Sequence, residues 1–126
     1  MKYIKWVLVI LYIYFILTKT IIGRNELPER IVWMPFREYS IGAWSDIINN
    51  ILLFIPLGFL IGGWKGIICG ALLSVFIEST QYVFKLGYCE LDDILNNTIG
   101  AGMGAAVMAC IRRFRERNDT ARNKNV

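Results

Sequence analysis

Carboxylate and amide side chains inside otherwise apolar stretches are the residues of this chain that could carry out chemistry. Ser74, Glu78 and Gln81 follow one another at intervals of four and three residues, which places them on one face of a helix. Polar groups inside a membrane-spanning segment are costly, so they need a partner or a function. Because a carboxyl group in such a segment can hold or transfer a proton, Glu78 is our best candidate for a functional or catalytic residue.

Two further stretches carry the same types of side chain. Asp46 is followed one helical turn later by Asn50, and Asp93 is followed one turn later by Asn97. If the segment with Glu78 crosses the membrane in the opposite direction to the other two, all three polar groups lie at a similar depth. We therefore predict that they converge on one pocket that binds a substrate or ligand. The predicted pocket residues are Asp46, Asn50, Glu78, Gln81, Asp92, Asp93 and Asn97.

A structural role is the alternative explanation for these residues. Asp46, Asp92 and Asp93 are predicted to lie in first helical turns, where acidic side chains interact favourably with the helix dipole. Amide side chains can also form hydrogen bonds that join helices within a membrane. A carboxyl group in the middle of a helix, such as that of Glu78, has neither explanation, so the prediction of function depends most on this residue.

The residue types of the chain limit its metal and cofactor chemistry. The sequence has no His, the commonest metal ligand and the usual general base at neutral pH. Its three Cys residues are far apart and lack the spacing of a metal site or a disulfide framework. We expect no cofactor, except that the carboxylates of Asp92 and Asp93 could hold a divalent cation.

Membrane-spanning helices are the elements that must position these residues. Of the 126 residues, 56% are apolar, and four apolar segments each approach the ~20 residues that cross a bilayer. We predict an all-α, polytopic membrane protein whose four transmembrane helices form a compact bundle in the lipid bilayer of the cell membrane. The predicted helices, within one domain of residues 1–111, cover residues 3–22, 44–62, 66–86 and 91–111. Residues 112–126 are predicted to form a basic, disordered tail.

The distribution of charge predicts the orientation of the bundle. If the N-terminus is inside, nine of the fourteen Lys and Arg residues but only two of the ten acidic residues lie on the cytoplasmic side. Because this agrees with the positive-inside tendency, we predict that both termini are cytoplasmic and that the polar pocket opens to the extracellular side. The basic tail then lies beside anionic lipid headgroups, and we expect no nucleic-acid partner.

Glycines recur at four-residue spacing in the second, third and fourth segments. Such pairs let helix backbones approach closely, so they predict tight packing and could also support an oligomer. The pairs are Gly58 and Gly62, Gly66 and Gly70, and Gly100 and Gly104.

Three motifs, in order along the chain, resemble those of the VanZ-like family. They are Asn50-Ile-Leu-Leu-Phe-Ile-Pro-Leu-Gly58, Ser74-x-x-Ile77-Glu78-x-x-Gln81, and Asp92-Asp93-x-x-x-Asn97-x-x-Gly100. The resemblance extends over about residues 33–108 and includes the pair Pro35 and Phe36. It implies a multi-pass membrane protein of a bacterium, and we expect a Gram-positive one. The best-known member of the family confers low-level resistance to the glycopeptide teicoplanin, but the resemblance does not imply a reaction.

The chain departs from the family pattern at two positions. Where the family usually has an Arg before the acidic cluster, this chain has Gly87, so Lys85 or Arg37 would have to supply a cation beside the acids. The Asn expected shortly before the Pro-Phe pair is replaced by Val32.

Three functions are compatible with these observations. The first is a protein that lowers the efficacy of teicoplanin-type antibiotics by binding the glycopeptide or an envelope component, such as a lipid-linked cell-wall precursor. The second is a membrane enzyme acting on a lipid-linked substrate, with Glu78 as general acid or base and a cation on Asp92 and Asp93. The third is a small transporter in which Glu78 takes up and releases a proton. The first is favoured because the family resemblance and the acidic pocket both support it.

Overall fold

The described part of the chain contains four long helices and one short pair of strands. A computed structural model describes residues 2–22, 31–32 and 41–123. In chain order the elements are α1 (Lys2–Ile21), β1 (Ile31–Val32), α2 (Ile41–Ile61), α3 (Gly63–Val83), β2 (Cys89–Glu90) and α4 (Leu91–Asn123). Strands β1 and β2 are parallel, with Ile31 opposite Cys89 and Val32 opposite Glu90. The Pro-Phe pair and Arg37 lie outside the described residues.

All four helices are long and apolar enough to cross a membrane. Many of their apolar side chains face outward; Ile10 and Leu72, for example, are each 66% exposed. A bilayer is the solvent that suits such a surface, because its hydrocarbon core matches both the length and the composition of the helices. The prediction of an all-α, four-helix membrane protein is confirmed. The orientation of its termini stays a prediction.

Helices α2 and α4 form the central pair of the bundle, and their backbones touch at glycines. A Cβ atom added at Gly58 would overlap the carbonyl oxygen of Ala101, and one added at Gly104 would overlap that of Ile55. Only residues without a side chain permit this approach. Helix α1 packs less closely against the other three. The apolar core between the helices comprises Val9, Ile16, Phe54, Leu57, Ile77 and Ala101.

The connection between α2 and α3 is shorter than the gap between the predicted helices, of which the second ended at residue 62 and the third began at residue 66. Helix α2 ends at Ile61 and α3 begins at Gly63, so Gly62 alone joins them. Gly62 and Gly63 have φ angles of 75° and 60°, a region that residues with a Cβ atom rarely adopt. Gly62 therefore terminates α2 and turns the chain, and it does not belong to a glycine pair within one helix.

Helix α4 continues well past the predicted end of the transmembrane segment at residue 111. Residues 112–123 are helical, whereas the sequence predicted a disordered tail there. This stretch contains neither Gly nor Pro, and it is rich in Arg, which favours helix. Glu116 follows Arg112 by four residues and Asp119 follows Arg115 by four, a spacing at which opposite charges support a helix. The side chains of the extension are exposed to solvent.

The two ends of the bundle differ in charge. At one end the ammonium group of Lys5 donates a hydrogen bond to the carbonyl oxygen of Ile61 (3.1 Å), and the side chain of Arg112 lies beside Gly62. At the other end lie the C-terminal ends of α1 and α3 and the N-terminal ends of α2 and α4. The predicted acidic and amide residues belong to this second end, which we call the polar end.

Candidate functional site

The site is built around a hydrogen bond between the middle of α2 and the first turn of α4. Asp46 also lies beyond the first turn of α2, in which the sequence predicted it, because the helix already begins at Ile41. The side-chain amide of Asn50 donates to the Oδ1 atom of Asp93 over 2.6 Å. Because α2 and α4 pack backbone to backbone, these two side chains are held at the same level although they are 43 residues apart in sequence. This hydrogen bond orients the carboxylate of Asp93, which therefore places a negative charge at a defined position at the polar end.

An open cavity lies beside this pair and has a volume of about 820 Å³. Three of its walls are α1, α2 and the link from α3 into α4. We call it the polar cavity. Its described lining residues are Tyr12, Phe15, Lys19, Thr20, Asp46, Asn49, Asn50, Leu52, Leu53, Gly87, Tyr88, Glu90 and Asp93.

The charged side chains of the polar cavity have both signs. Asp46, Glu90 and Asp93 contribute carboxylates, and Lys19 contributes an ammonium group. The Nζ atom of Lys19 lies 5.9 Å from the centre of the Phe15 ring, a distance at which an aromatic face attracts a cation. The cavity can therefore interact with groups of either charge, at different positions on its wall.

A second group of polar side chains is buried between the helices. We call Ser74, Glu78, Gln81 and Asn97 the buried polar layer; none of them is more than 4% exposed. The amide of Asn97 donates to the hydroxyl oxygen of Ser74 over 2.8 Å and thereby joins α4 to α3. The Oε2 atom of Glu78 accepts a hydrogen bond of 3.0 Å from the backbone N–H of Glu90.

Gln81 connects the buried polar layer to helix α1. Its side-chain amide donates to the carbonyl oxygen of Thr20 over 3.0 Å. That carbonyl lies in the last turn of α1, where carbonyl oxygens have no backbone N–H donor within the helix. The hydroxyl of Tyr12 makes a second tie, donating to the carbonyl oxygen of Leu53 on α2 over 2.9 Å. These two bonds set the position of α1, and with it the position of Lys19.

The structure divides the predicted pocket residues between these two regions. Asp46, Asn50 and Asp93 line the polar cavity. Glu78, Gln81 and Asn97 belong to the buried polar layer and are absent from the described cavity lining, as is the half-buried Asp92. The three polar stripes do meet at one end of the bundle, but in two adjoining regions where the sequence predicted a single pocket. The reason is that the stripe on α3 faces the interior, between α4 and α1.

Sequence reasoning missed the contribution of α1 and of the link before α4. Tyr12, Lys19 and Thr20 come from a helix that was not assigned to the site, and Tyr88 and Glu90 from the link. The signal for Lys19 was present, because it is an ionisable residue within a predicted transmembrane segment. Of the two cations that the sequence offered, Lys85 is not among the described lining residues, and Arg37 lies outside the described part of the chain.

The order and spacing of these polar residues agree with a comparison against known protein families. The family model for VanZ/LLP1 matches residues 5–112, which is most of the chain. This chain belongs to the VanZ/LLP1 family. Protein VanZ of Enterococcus faecium is 30% identical over 70 residues, which cover 50% of this chain and 44% of that relative. The chain thus matches less than half of the length of this relative. No solved structure matches it.

Membership of the VanZ/LLP1 family fits the four membrane-crossing helices, and it identifies the chain as a multi-pass bacterial membrane protein. The motifs that carried the resemblance supply part of the polar cavity and of the buried polar layer. The first contributes Asn50, the second contributes Glu78 and Gln81, and the third contributes Asp93 and Asn97. In this VanZ/LLP1 protein hydrogen bonds join the first motif to the third, through Asn50 and Asp93, and the second to the third, through Ser74 and Asn97. Glu78 of the second motif also bonds the backbone of Glu90, directly before α4.

Within the described part of the chain, no three acidic or Cys side chains are grouped so that they could hold a metal ion. Asp92 and Asp93 are neighbours in the first turn of α4, where they interact with the helix dipole. A divalent cation on these two residues, as the sequence allowed, is an untested prediction.

Cys89 lies in β2, directly before Glu90, and its thiol is free and half-buried. Burial and the neighbouring carboxylates of Glu78 and Glu90 raise the pKa of this thiol above its ordinary value. Its reactivity therefore reports on the electrostatic potential at the polar end.

Proposed function

We propose that this protein lowers the efficacy of teicoplanin-type glycopeptides at the bacterial membrane by binding the antibiotic or an envelope component in the polar cavity. The observation that carries the proposal is the hydrogen bond between Asn50 and Asp93 in the cavity wall, because it joins two family motifs at a ligand-sized space. A volume of about 820 Å³ lies within the range of small-molecule sites, ~300–1,000 Å³.

The proposal includes an orientation. Lys5, Lys65 and the arginines that follow residue 111 belong to the end of the bundle opposite the polar cavity. The positive-inside tendency favours a cytoplasmic position for that basic end. The polar cavity would then open toward the outer leaflet, where glycopeptides meet their cell-wall targets.

The buried polar layer supports the cavity in this proposal. Glu78 holds the backbone of Glu90 through its carboxylate, and Glu90 lines the cavity. Glu78 is therefore a positioning residue, which acts on the ligand through the chain segment that precedes α4. A catalytic role for Glu78, which the sequence also allowed, stays an untested prediction.

Susceptibility to teicoplanin and vancomycin tests the proposal. A sensitive Gram-positive host would express the wild type, Asp93→Ala, Glu78→Ala or, as a control on the exposed extension of α4, Asp119→Ala. The amount of each variant in the membrane must be measured in parallel. We expect the wild type and Asp119→Ala to protect against teicoplanin, and equally abundant Asp93→Ala and Glu78→Ala to protect less. If the wild type does not protect, or if all variants protect equally, the proposal is wrong.

A further inference from the structure

The arrangement of charge in the polar cavity limits which ligands can bind there. Among the described lining residues the cation, Lys19, comes from α1, whereas the carboxylates come from α2, β2 and α4. A ligand with only negative charge meets three carboxylates: Asp46, Glu90 and Asp93. Since like charges in contact cost free energy, this wall discriminates against such a ligand. A ligand with only positive charge leaves the ammonium group of Lys19 without a counter-charge.

The position of Lys19 is determined by the contacts of its helix. Gln81, only 2% exposed, bonds the carbonyl oxygen of the next residue, Thr20, and the Phe15 ring lies one turn before Lys19. No ion pair joins Lys19 to another residue within ranges 2–22, 31–32 and 41–123. Its side chain is exposed, and its ammonium group lines the cavity without a carboxylate partner from the described chain.

Apolar side chains continue the cavity toward the lipid-facing surface. Phe15 and Leu52 line the polar cavity and are 43% and 57% exposed, although both belong to membrane-spanning helices. Hydrocarbon is the solvent that such side chains meet. A ligand whose charged head fills the cavity can therefore keep an apolar chain beside α1 and α2, within the bilayer.

We propose that the polar cavity binds the zwitterionic head of an amphiphile, with its anionic group on Lys19, its ammonium group on the carboxylates of Asp46, Glu90 and Asp93, and its apolar chain along Phe15 and Leu52. The inference rests on the proposed function because it takes the polar cavity as the binding site. Two sources have this chemistry: a membrane lipid whose headgroup carries an amine and a phosphate, and a lipoglycopeptide such as teicoplanin, which carries an amine, a carboxylate and an acyl chain.

Binding to the purified full chain in detergent micelles tests this ligand class. The probes share one alkyl chain and differ in the head: phosphoethanolamine is zwitterionic, an alkyl ammonium is cationic and an alkyl phosphate is anionic. Teicoplanin forms a separate arm, so the lipid and the antibiotic are distinguished by which of them binds. We expect the zwitterionic probe or teicoplanin to bind at least ~10-fold more tightly than both singly charged probes, a difference of ~1.4 kcal/mol.

Lys19→Met removes the cation and keeps an unbranched side chain of similar length. We expect it to weaken binding of the zwitterionic ligand ~10-fold, to leave the cationic probe unweakened, and to be rescued by Lys19→Arg. Lys65→Met is a matched control, because Lys65 also lies 5.9 Å from an aromatic ring, that of Trp64, but at the opposite end of the bundle. Asp46→Asn should weaken the zwitterionic and cationic probes and leave the anionic probe unweakened.

The results separate this inference from the proposed function. If Lys19→Met and Lys65→Met have the same effect, or if no probe prefers the zwitterionic head, the ligand class is wrong even where the wild type protects cells from teicoplanin. If the zwitterionic preference depends on Lys19 but the wild type gives no protection, the ligand class stands and the proposed function fails.

Discussion

The side chains of Asn50 and Asp93 meet at 2.6 Å, although they belong to different helices and to different sequence motifs. The bond runs from an amide donor to a carboxylate acceptor and lies in the wall of the polar cavity. It depends on the close approach of α2 and α4, which the glycines of both helices permit. Packing and site geometry are therefore coupled in this protein: a change that separates the two helices also separates this pair.

Asn50→Asp should destabilise the protein and reduce its protection against teicoplanin. The substitution places a second carboxylate against Asp93 and removes the donor, and a hydrogen bond to a charged group is worth about 1.5–3 kcal/mol. Thermal unfolding of the purified protein measures the change. Asn49→Asp is the control, because Asn49 also lines the cavity but bonds only weakly, to Ser45 at 3.5 Å. Equal unfolding temperatures for the two variants would contradict the assignment.

Glu78→Ala should lower stability more than Glu78→Gln does. The alanine removes this acceptor from the backbone N–H of Glu90, which costs about 1–3 kcal/mol for a fully buried donor and less for the half-buried Glu90. The glutamine retains a side-chain oxygen at a similar position. Unfolding temperature gives the stability, and teicoplanin susceptibility gives the activity. A stable Glu78→Gln that no longer protects would show that the charge itself is needed, and would argue against a role limited to positioning.

Gly104→Ala should impair folding, whereas Gly102→Ala should not. The added Cβ at Gly104 overlaps the carbonyl oxygen of Ile55, and relief requires α2 and α4 to separate, at about 1–3 kcal/mol. At Gly102, by contrast, no described atom outside the local helix lies within 4 Å of such a Cβ. The amount of each variant in the membrane and its unfolding temperature are the measurements. Similar values for the two variants would mean that the close packing of α2 and α4 is incorrect.

Alkylation of Cys89 should be slow near neutral pH and should accelerate as the pH rises. Burial and the carboxylates of Glu78 and Glu90 raise the pKa of the thiol, so the reactive thiolate is scarce below that pKa. Glu90→Gln removes a negative charge, lowers the pKa and should increase the rate at a given pH. The experiment follows a maleimide by mass spectrometry, with Cys69 and Cys110 replaced by Ala. Identical pH profiles with and without Glu90 would refute the electrostatic explanation.

The two ends of the bundle should be labelled from opposite sides of the membrane. A membrane-impermeant maleimide added to intact cells should modify Cys89 at the polar end. It should not modify Thr120→Cys in a variant whose Cys69, Cys89 and Cys110 are replaced by Ala, because the new thiol lies on the exposed extension of α4 at the opposite end. Permeabilised cells should show labelling at both positions. Labelling of the variant, but not of Cys89, in intact cells would reverse the predicted orientation.

Much of this architecture could be predicted from the positions of polar residues within apolar segments. The spacing of Ser74, Glu78 and Gln81 placed them on one face, and all three are buried. The family motifs identified Asn50 and Asp93, which the structure brings into contact. For the residues on α3 a helical period alone relates sequence to position, so no knowledge of the packing is needed. The contact between Asn50 and Asp93 also requires the close packing of α2 against α4, which the sequence indicated only through its glycine pairs.

The role of α1 could not be predicted in this way. Whether Lys19 faces lipid, solvent or the cavity depends on how α1 rotates against its neighbours, and that rotation is set by the contacts of Tyr12 and Gln81 across helices. The extension of α4 was missed for a different reason. Its composition is typical of a disordered tail, whereas its helical propensity and its pairs of opposite charges favour helix.

The single-residue connection at Gly62 has a consequence for how the protein is made. With no loop between them, α2 and α3 must lie side by side as an antiparallel hairpin once both are in the bilayer. We expect them to pass from the translocation machinery to lipid as one unit, with the glycine turn staying on the predicted cytoplasmic side. An epitope or reporter inserted at this turn would interrupt that transfer, whereas one fused after the extension of α4 would follow the last helix into place.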